Sequence, residues 1–195
     1  TNWIKALENV EDKLTAGAKV ADVGCGHGAS TIVMAQAYPN STFYGFDSHE
    51  ESIAIARQRA KEAGLNGNIH FAVSKAKDFT ESGFDLICFM DCLHDMGDPV
   101  GAARHAKRSL KADGTVMLVE PAAGDAVNDN INPVSRLYYA ASTAVCTPSS
   151  LSQEVGMALG AQAGEKRLSE VMLEAGFRSI RRAAETPFNI VLESR

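Results

Sequence analysis

Three glycines at alternate positions, Gly24, Gly26 and Gly28, stand between a short β-rich run (Lys19–Val23) and a segment of helical character over residues 30–38 that stops at Pro39. Glycine at such a junction lets backbone approach a ligand closely and aims N–H groups at it from the start of a helix. This part of the chain is thereby committed to strand, tight turn and helix, the opening unit of a nucleotide-type α/β sheet. The glycines do not choose the nucleotide, because Gly24, Gly26 and Ala29 also satisfy the dinucleotide fingerprint G-x-G-x-x-G/A.

The same alternation continues. Residues 42–46 read as a second strand, and residues 50–63 as a helix whose Ile53, Ala56, Ala60 and Ala63 share one face before Gly64 closes it. Residues 69–73 make a third strand. The run from Phe84 to Met90 is apolar except for Asp85, as expected of a central strand covered on both faces. Residues 98–110 form the next helix, with Pro99 in its first turn, and Asp113-Gly114 turns into a strand over 115–119. Ahead of these, Trp3, Ile4, Leu7, Val10 and Leu14 recur at helical spacing and predict an amphipathic lead-in helix over 3–15. Strands alternating with helices imply right-handed crossovers and a parallel, doubly wound sheet with helices on both faces. The ending departs from that rhythm. After a helix carrying Leu168, Val171, Met172 and Ala175, residues 179–184 and 188–193 are joined through Thr186-Pro187 with no room for a crossover, so the last strand runs antiparallel.

A chain of 195 residues can bury a full core without staples, and 45% hydrophobic against 22% charged residues argues against wholesale disorder. The net charge of -5 and the lack of a long Lys/Arg run make nucleic acid a poor partner; Arg178 to Arg182, the nearest candidate, reads as a solvated strand end. No apolar run reaches the length of a membrane span. The cysteines (Cys25, Cys88, Cys92 and Cys146) are scattered, without paired doublets, which points to a reduced, cytoplasmic protein with no metal site.

Asp22 precedes the first glycine by two residues, giving D-x-G-x-G-x-G, and the closing antiparallel hairpin is one that nicotinamide-binding domains normally lack. On these features the chain resembles the class I methyltransferases over essentially its whole length. The resemblance implies a Rossmann-like α/β fold of seven mostly parallel strands ordered 3-2-1-4-5-7-6, and S-adenosylmethionine as cofactor. It assigns donor contacts to Asp22, Gly24, Cys25 and Gly26 in the first turn, to Asp47 and Ser48 beside the ribose, to Ala76 beside adenine, and to Asp91 after the fourth strand. That family often places an acid before Ala in the adenine loop. Here the loop reads Ser74-Lys75-Ala76-Lys77-Asp78, and Lys75 cannot accept from the adenine amino group, which leaves main chain around Ala76, or Asp78; Lys75 and Lys77 read as an exposed loop.

The segment Leu93-His94-Asp95-Met96-Gly97-Asp98 is similar to the H-D-W-S-D stretch of small-molecule O-methyltransferases, with Met and Gly in place of Trp and Ser. In a sheet ordered 3-2-1-4-5, the carboxyl ends of strands one and four flank the switch point, so this loop faces the glycine turn. The family role of that histidine is general base, and a neutral imidazole suits removal of a hydroxyl proton. His94 is the candidate base; the alternative is a loop-shaping residue.

Residues 121–162 form an insertion longer than an ordinary loop, and Ile131, Val134, Leu137, Tyr138 and Ala141 recur in it at helical spacing. One or two lid-like helices over the crevice are expected, with Tyr138 and Tyr139 as acceptor-binding candidates. The segments 91–99, 130–133 and 137–139 are similar to actinobacterial methyltransferases in which the domain follows a winged-helix region that helps to build a homodimer and the acceptor pocket. The chain opens on Thr1 and reads as a single methyltransferase domain, the C-terminal part of a longer protein. The expected activity is methyl transfer to a small-molecule acceptor, at a hydroxyl. The alternatives are a non-catalytic donor-binding regulatory module and an NAD-dependent oxidoreductase, the latter without the Tyr-x-x-x-Lys pair that assists hydride transfer.

Overall fold

The computed structural model describes residues 2–195. Strands β1 (Lys19–Val23), β2 (Thr42–Asp47), β3 (Ile69–Val73), β4 (Phe84–Met90), β5 (Leu110–Pro121), β6 (Ile180–Glu185) and β7 (Asn189–Ser194) form one sheet in the order β3-β2-β1-β4-β5-β7-β6. The first five pair in parallel, and β7 runs antiparallel to both β5 and β6. This is the architecture and order that the alternation and the family resemblance predict.

β4 shows why the sheet takes helices on both sides. Leu86 and Cys88 enter one apolar cluster, whereas Ile87 and Phe89 enter the other. The first cluster is filled by α2 (Val10–Ala16), α3 (Ala29–Ala37) and α4 (Glu50–Glu62) through Leu14, Met34 and Ile53; the second by α5 (Pro99–Ser109) and α8 (Gly164–Glu174) through Ala103, Leu168 and Met172. Each fully buried large side chain contributes roughly 1.5–3 kcal/mol from burial. Asp85, the one charge in β4, sits at the strand's start, where its carboxylate accepts from the Lys19 amide at 2.9 Å and from Lys111 Nζ at 2.8 Å.

The lead-in helix expected over 3–15 is broken. α1 (Asn2–Lys5) ends early, and Asn9 takes a left-handed φ of 59° before α2 begins. The cause lies at the far end of the chain. Buried Glu193 accepts from the Glu8 amide, pairs with Arg181 and Arg195, and those two arginines donate to the Ala6 and Glu8 carbonyls. Those bonds hold residues 6–8 out of helical geometry, and Asn tolerates the resulting turn at residue 9. The Arg178–Arg182 stretch is accordingly not a plain solvated end, since Arg182 also bonds Glu165 and Glu185.

Between β5 and α8 the insertion forms a short 3-10 turn, then α6 (Pro133–Ala141), a π turn at Ser142–Cys146 and α7 (Thr147–Leu151). Pro148 explains the π turn: it has no N–H, and its ring would clash with a regular preceding turn. The face turned inward is not the apolar one that the spacing suggests. Ser135, Ser142, Cys146 and Ser150 are buried, whereas Ile131 and Leu137 are 76% and 66% exposed. Small side chains let this helix lie close to the loop after β4, and hydroxyls bond it there: Ser150 Oγ donates to the Met96 carbonyl at 2.8 Å.

Candidate active site

At the glycine turn, the amides of Gly24 and Cys25 both donate to the Phe46 carbonyl, which ties the end of β1 to β2. The glycines then divide by role. A side chain at Gly28 (φ 75°) would strike Phe71 at 2.7 Å and Ala56 at 2.9 Å, so this position is closed by packing. At Gly26 (φ 51°) a Cβ would meet nothing within 4 Å, leaving open space against bare backbone where a ligand can lie. Cys25 turns its side chain into the core, its N–H is spent on the Phe46 carbonyl of β2, and its C=O accepts from the Gly28 amide within the turn. Asp22 lies wholly buried below. Its Oδ2 accepts from Ser30 Oγ and Thr31 Oγ1 at 2.6 Å each, while Oδ1 has no partner. Burial pushes this carboxyl's pKa up against the lowering effect of the two hydroxyls.

A cavity of about 280 Å³ opens beside the turn, bordered by Gly24, Asp47, Ser48, Ala76 and Met96. Asp47 stands at the end of β2 with Oδ2 on the Gly26 amide and Oδ1 on the His49 amide, both at 2.9 Å. These residues fit S-adenosylmethionine. Asp47 would face the ribose hydroxyls, Ala76 and Met96 would offer apolar surface to a purine, and the unpartnered Asp22 oxygen would suit the ammonium of the amino-acid part, directly or through water. Of the residues expected at the donor, Gly24, Asp47, Ser48 and Ala76 line this cavity; Asp22 and Cys25 lie beneath it.

Two further lining residues, Gln153 and Glu154, come from the insertion just beyond α7. Nothing in their local sequence marks them as ligands. Lys77, read from sequence as exposed loop, also borders the cavity and joins Asp98 Oδ2 at 3.1 Å to Glu154 Oε2 at 2.9 Å. Those two carboxylates raise its pKa. Asp98 at the same time caps α5, accepting from the Gly101 amide at 2.8 Å.

Across the crevice, β4 ends at Met90 and is followed by Asp91, a non-glycine residue with φ of 59° whose amide is held by the Val119 carbonyl at 2.8 Å. That turn delivers the chain into a 3-10 turn, Leu93–Asp95. His94 is only 4% exposed and bonds through Nδ1 to Glu120, a 1% exposed carboxylate at the end of β5 whose other oxygen accepts from the Leu93 amide at 2.9 Å. Its Nε2 lies 3.2 Å from Asp95 Oδ1, which receives no well-directed hydrogen bond, and Cys146 of the insertion completes the group, all three atoms within 4.8 Å of one another. Burial pushes the imidazole pKa down, but the Glu120 hydrogen bond and the charges of Glu120, Asp95 and Asp91 outweigh it, so the net shift is upward. Glu120 is pushed up by burial, only partly offset by His94. Sequence reading missed Glu120, although a charge closing the apolar run of β5 was the available signal.

The two insertion tyrosines part company. Tyr138 is half-buried, donates to the Phe188 carbonyl at 3.1 Å, and has its pKa raised by burial and by the Asp91 charge. Tyr139 is exposed on the outer side.

Residues 14–176 match the family described as a methyltransferase domain. A ubiquinone biosynthesis O-methyltransferase of Actinobacillus pleuropneumoniae is 36% identical over 119 residues, covering 56% of this chain and 49% of that one. The chain thus spans about half the length of the curated relatives it matches. Two solved structures share the fold: the mitomycin 7-O-methyltransferase MmcR (TM-score 0.71, 18% identity, covering 93% of this chain and 50% of that one) and the S-adenosylmethionine-dependent methyltransferase SibL in its apo form (TM-score 0.69, 21% identity, 100% and 54%).

Proposed function

The chain belongs to the methyltransferase domain family, and on that premise we propose that it moves a methyl group from S-adenosylmethionine to a hydroxyl oxygen of a small molecule, with His94 as general base. The observation that carries this reading is the buried His94–Glu120 pair, in which Glu120 at the end of β5 holds His94 on the loop after β4, whose Met96 borders the cavity. The names of the relatives, O-methyltransferases, support oxygen as the acceptor atom.

When bound, S-adenosylmethionine supplies an electrophilic methyl on a sulfonium sulfur. The protein's part is alignment and a proton acceptor. Asp47 and the glycine turn hold the nucleoside and sulfur end, and alignment provides much of the acceleration of an in-line displacement. A hydroxyl that took the place of Asp95 beside Nε2 would give its proton to the imidazole as its oxygen accepted the methyl that the sulfonium would release. Glu120 fixes the Nδ1–H tautomer and stabilises the imidazolium that results. Tyr138, and the insertion above it, cover the acceptor side. Among the described residues no helix is long and apolar enough to cross a membrane. The four free cysteines suit a reducing compartment such as the cytoplasm.

One observation favours a second reading. With Asp95 and Cys146 beside Nε2 the base is covered, as it would be in a donor-binding module that no longer transfers methyl groups. Titration calorimetry with S-adenosylhomocysteine and with NAD, followed by mass spectrometry of a panel of phenolic and alcoholic acceptors, separates the cases. Binding of the homocysteine compound with methylated product supports transfer, binding without product supports the module, and binding of NAD alone rules out both.

A further inference from the structure

The nucleoside end of the cavity has a wall that does not come from the alternating sheet. Gln153 is spent on shaping it: its Oε1 accepts from the Gly97 amide and its Nε2 donates to the Asp95 carbonyl, both at 3.0 Å. Glu154 is different. Its side chain is 78% exposed, borders the cavity and, among the described residues, is engaged only through Oε2 by Lys77.

The backbone that carries this wall is held in an unrelaxed shape. Val155 (φ 73°) and Ala158 (φ 53°) occupy the left-handed region, which a β-branched residue such as valine very rarely adopts. Such conformations persist where their surroundings over-determine them, and they cluster at ligand clamps. The surroundings here are the loop after β4 and α7, since the Met157 amide donates to the Gly97 carbonyl at 2.9 Å and the Ala158 amide to Ser150 Oγ at 3.0 Å, a hydroxyl that in turn donates to the Met96 carbonyl.

The facing wall lacks an acid for a purine. Lys75, before Ala76, offers only donors. Asp47 already accepts from two amides, and Asp98 accepts from the Gly101 amide and Lys77. Asp78, the acid that the sequence offers in that loop, is not among the residues bordering the cavity, which leaves Glu154 as the bordering carboxylate with a free oxygen.

We propose that Glu154 is the acid that recognises adenine in this site, accepting from the exocyclic amino group of the donor's purine while its ion pair with Lys77 holds the insertion across the cavity. The assignment rests on the reading of the cavity as the S-adenosylmethionine site. It makes the insertion part of the donor site as well as a cover for the acceptor.

The test is the preference between a 6-amino and a 6-oxo purine, because a carboxylate accepts from the first and repels the second. Titration calorimetry is run with S-adenosylhomocysteine and S-inosylhomocysteine. The unaltered protein is expected to prefer the adenine compound by about tenfold or more, the worth of one charge-assisted hydrogen bond. In Glu154→Gln, whose amide both donates and accepts, the two ligands come within about threefold of each other, with the melting temperature unchanged. Lys77→Met weakens both ligands alike. An adenine preference in Glu154→Gln equal to that of the unaltered protein overturns the assignment, as does an unaltered protein that binds both ligands equally. Lys77→Met binding both as tightly as before overturns the role of the ion pair. No binding of S-adenosylhomocysteine by the unaltered protein overturns the donor reading itself, a result distinct from the others.

Discussion

At the scale of the residue, His94 and Glu120 act as one unit. Glu120 is buried and bonds Nδ1, and on the proposed reading Nε2, which faces Asp95 in this structure, would take the hydroxyl proton once Asp95 gives way. We predict that His94→Ala lowers kcat by about 10²–10⁴-fold, the usual contribution of a positioned base, while affinity for S-adenosylhomocysteine stays within about threefold, since His94 does not line the donor cavity. The pH profile gives the sharper reading. Only neutral imidazole accepts a proton, and its pKa is raised in the fold, so kcat should climb with pH along a limb displaced above the ordinary histidine range. Glu120→Gln should move that limb to lower pH and reduce the plateau; an unmoved limb would assign it to some other group. The motif around His94 was legible in the sequence because the loop is contiguous. Glu120 was not, because it reaches His94 only through the pairing of β4 with β5, and Glu154 was not, because its contact with Lys77 crosses 77 positions of chain.

At the scale of the element, the closing hairpin does more than finish the sheet. β6 and β7 bring Arg181 and Glu193 together and, through them, hold the segment between α1 and α2. Arg181→Met should cost about 1–2 kcal/mol, a charged hydrogen bond discounted for the partial exposure of the guanidinium. It should also speed proteolytic cleavage around residues 6–9, so a melting curve and a limited digest check it together. The strands and the helices on either face were readable because each carries its own period and its own stop, such as Gly64 after α4 or Pro99 at the start of α5. The break in the lead-in helix was not, since Trp3 to Leu14 keep helical spacing and the bonds that interrupt it come from the other end of the chain. The insertion misled for a related reason. Its apolar residues mark one face of α6, but that face is outward, and the buried stripe is made of serines and a cysteine that periodicity counts as polar or neutral.

At the scale of the whole molecule, the groups most strongly removed from water share a direction. Asp22 and Glu120 have pKa values raised chiefly by burial, and His94 has one raised by its carboxylate neighbours. Each binds its proton more tightly folded than unfolded. The stabilisation this gives is complete below the unfolded pKa values and is lost as pH rises through the folded ones. Stability should therefore fall from mildly acidic to mildly basic pH, and an already negative chain, at -5, adds self-repulsion in the same sense. Denaturant midpoints across that interval test it, with a stability that rises toward basic pH as the contrary result; Glu120→Gln should flatten the slope.

The insertion returns from α7 to fasten itself on residues 94–98 through Ser150, Gln153, Met157 and Gly160. On the proposed reading of the site, recognition of donor and acceptor would therefore not be divisible between separate modules. A chimera that borrows residues 122–163 from a relative to change its acceptor would import a different purine wall with them, and would succeed only if Lys77 and the 94–98 loop were transplanted as part of the same graft.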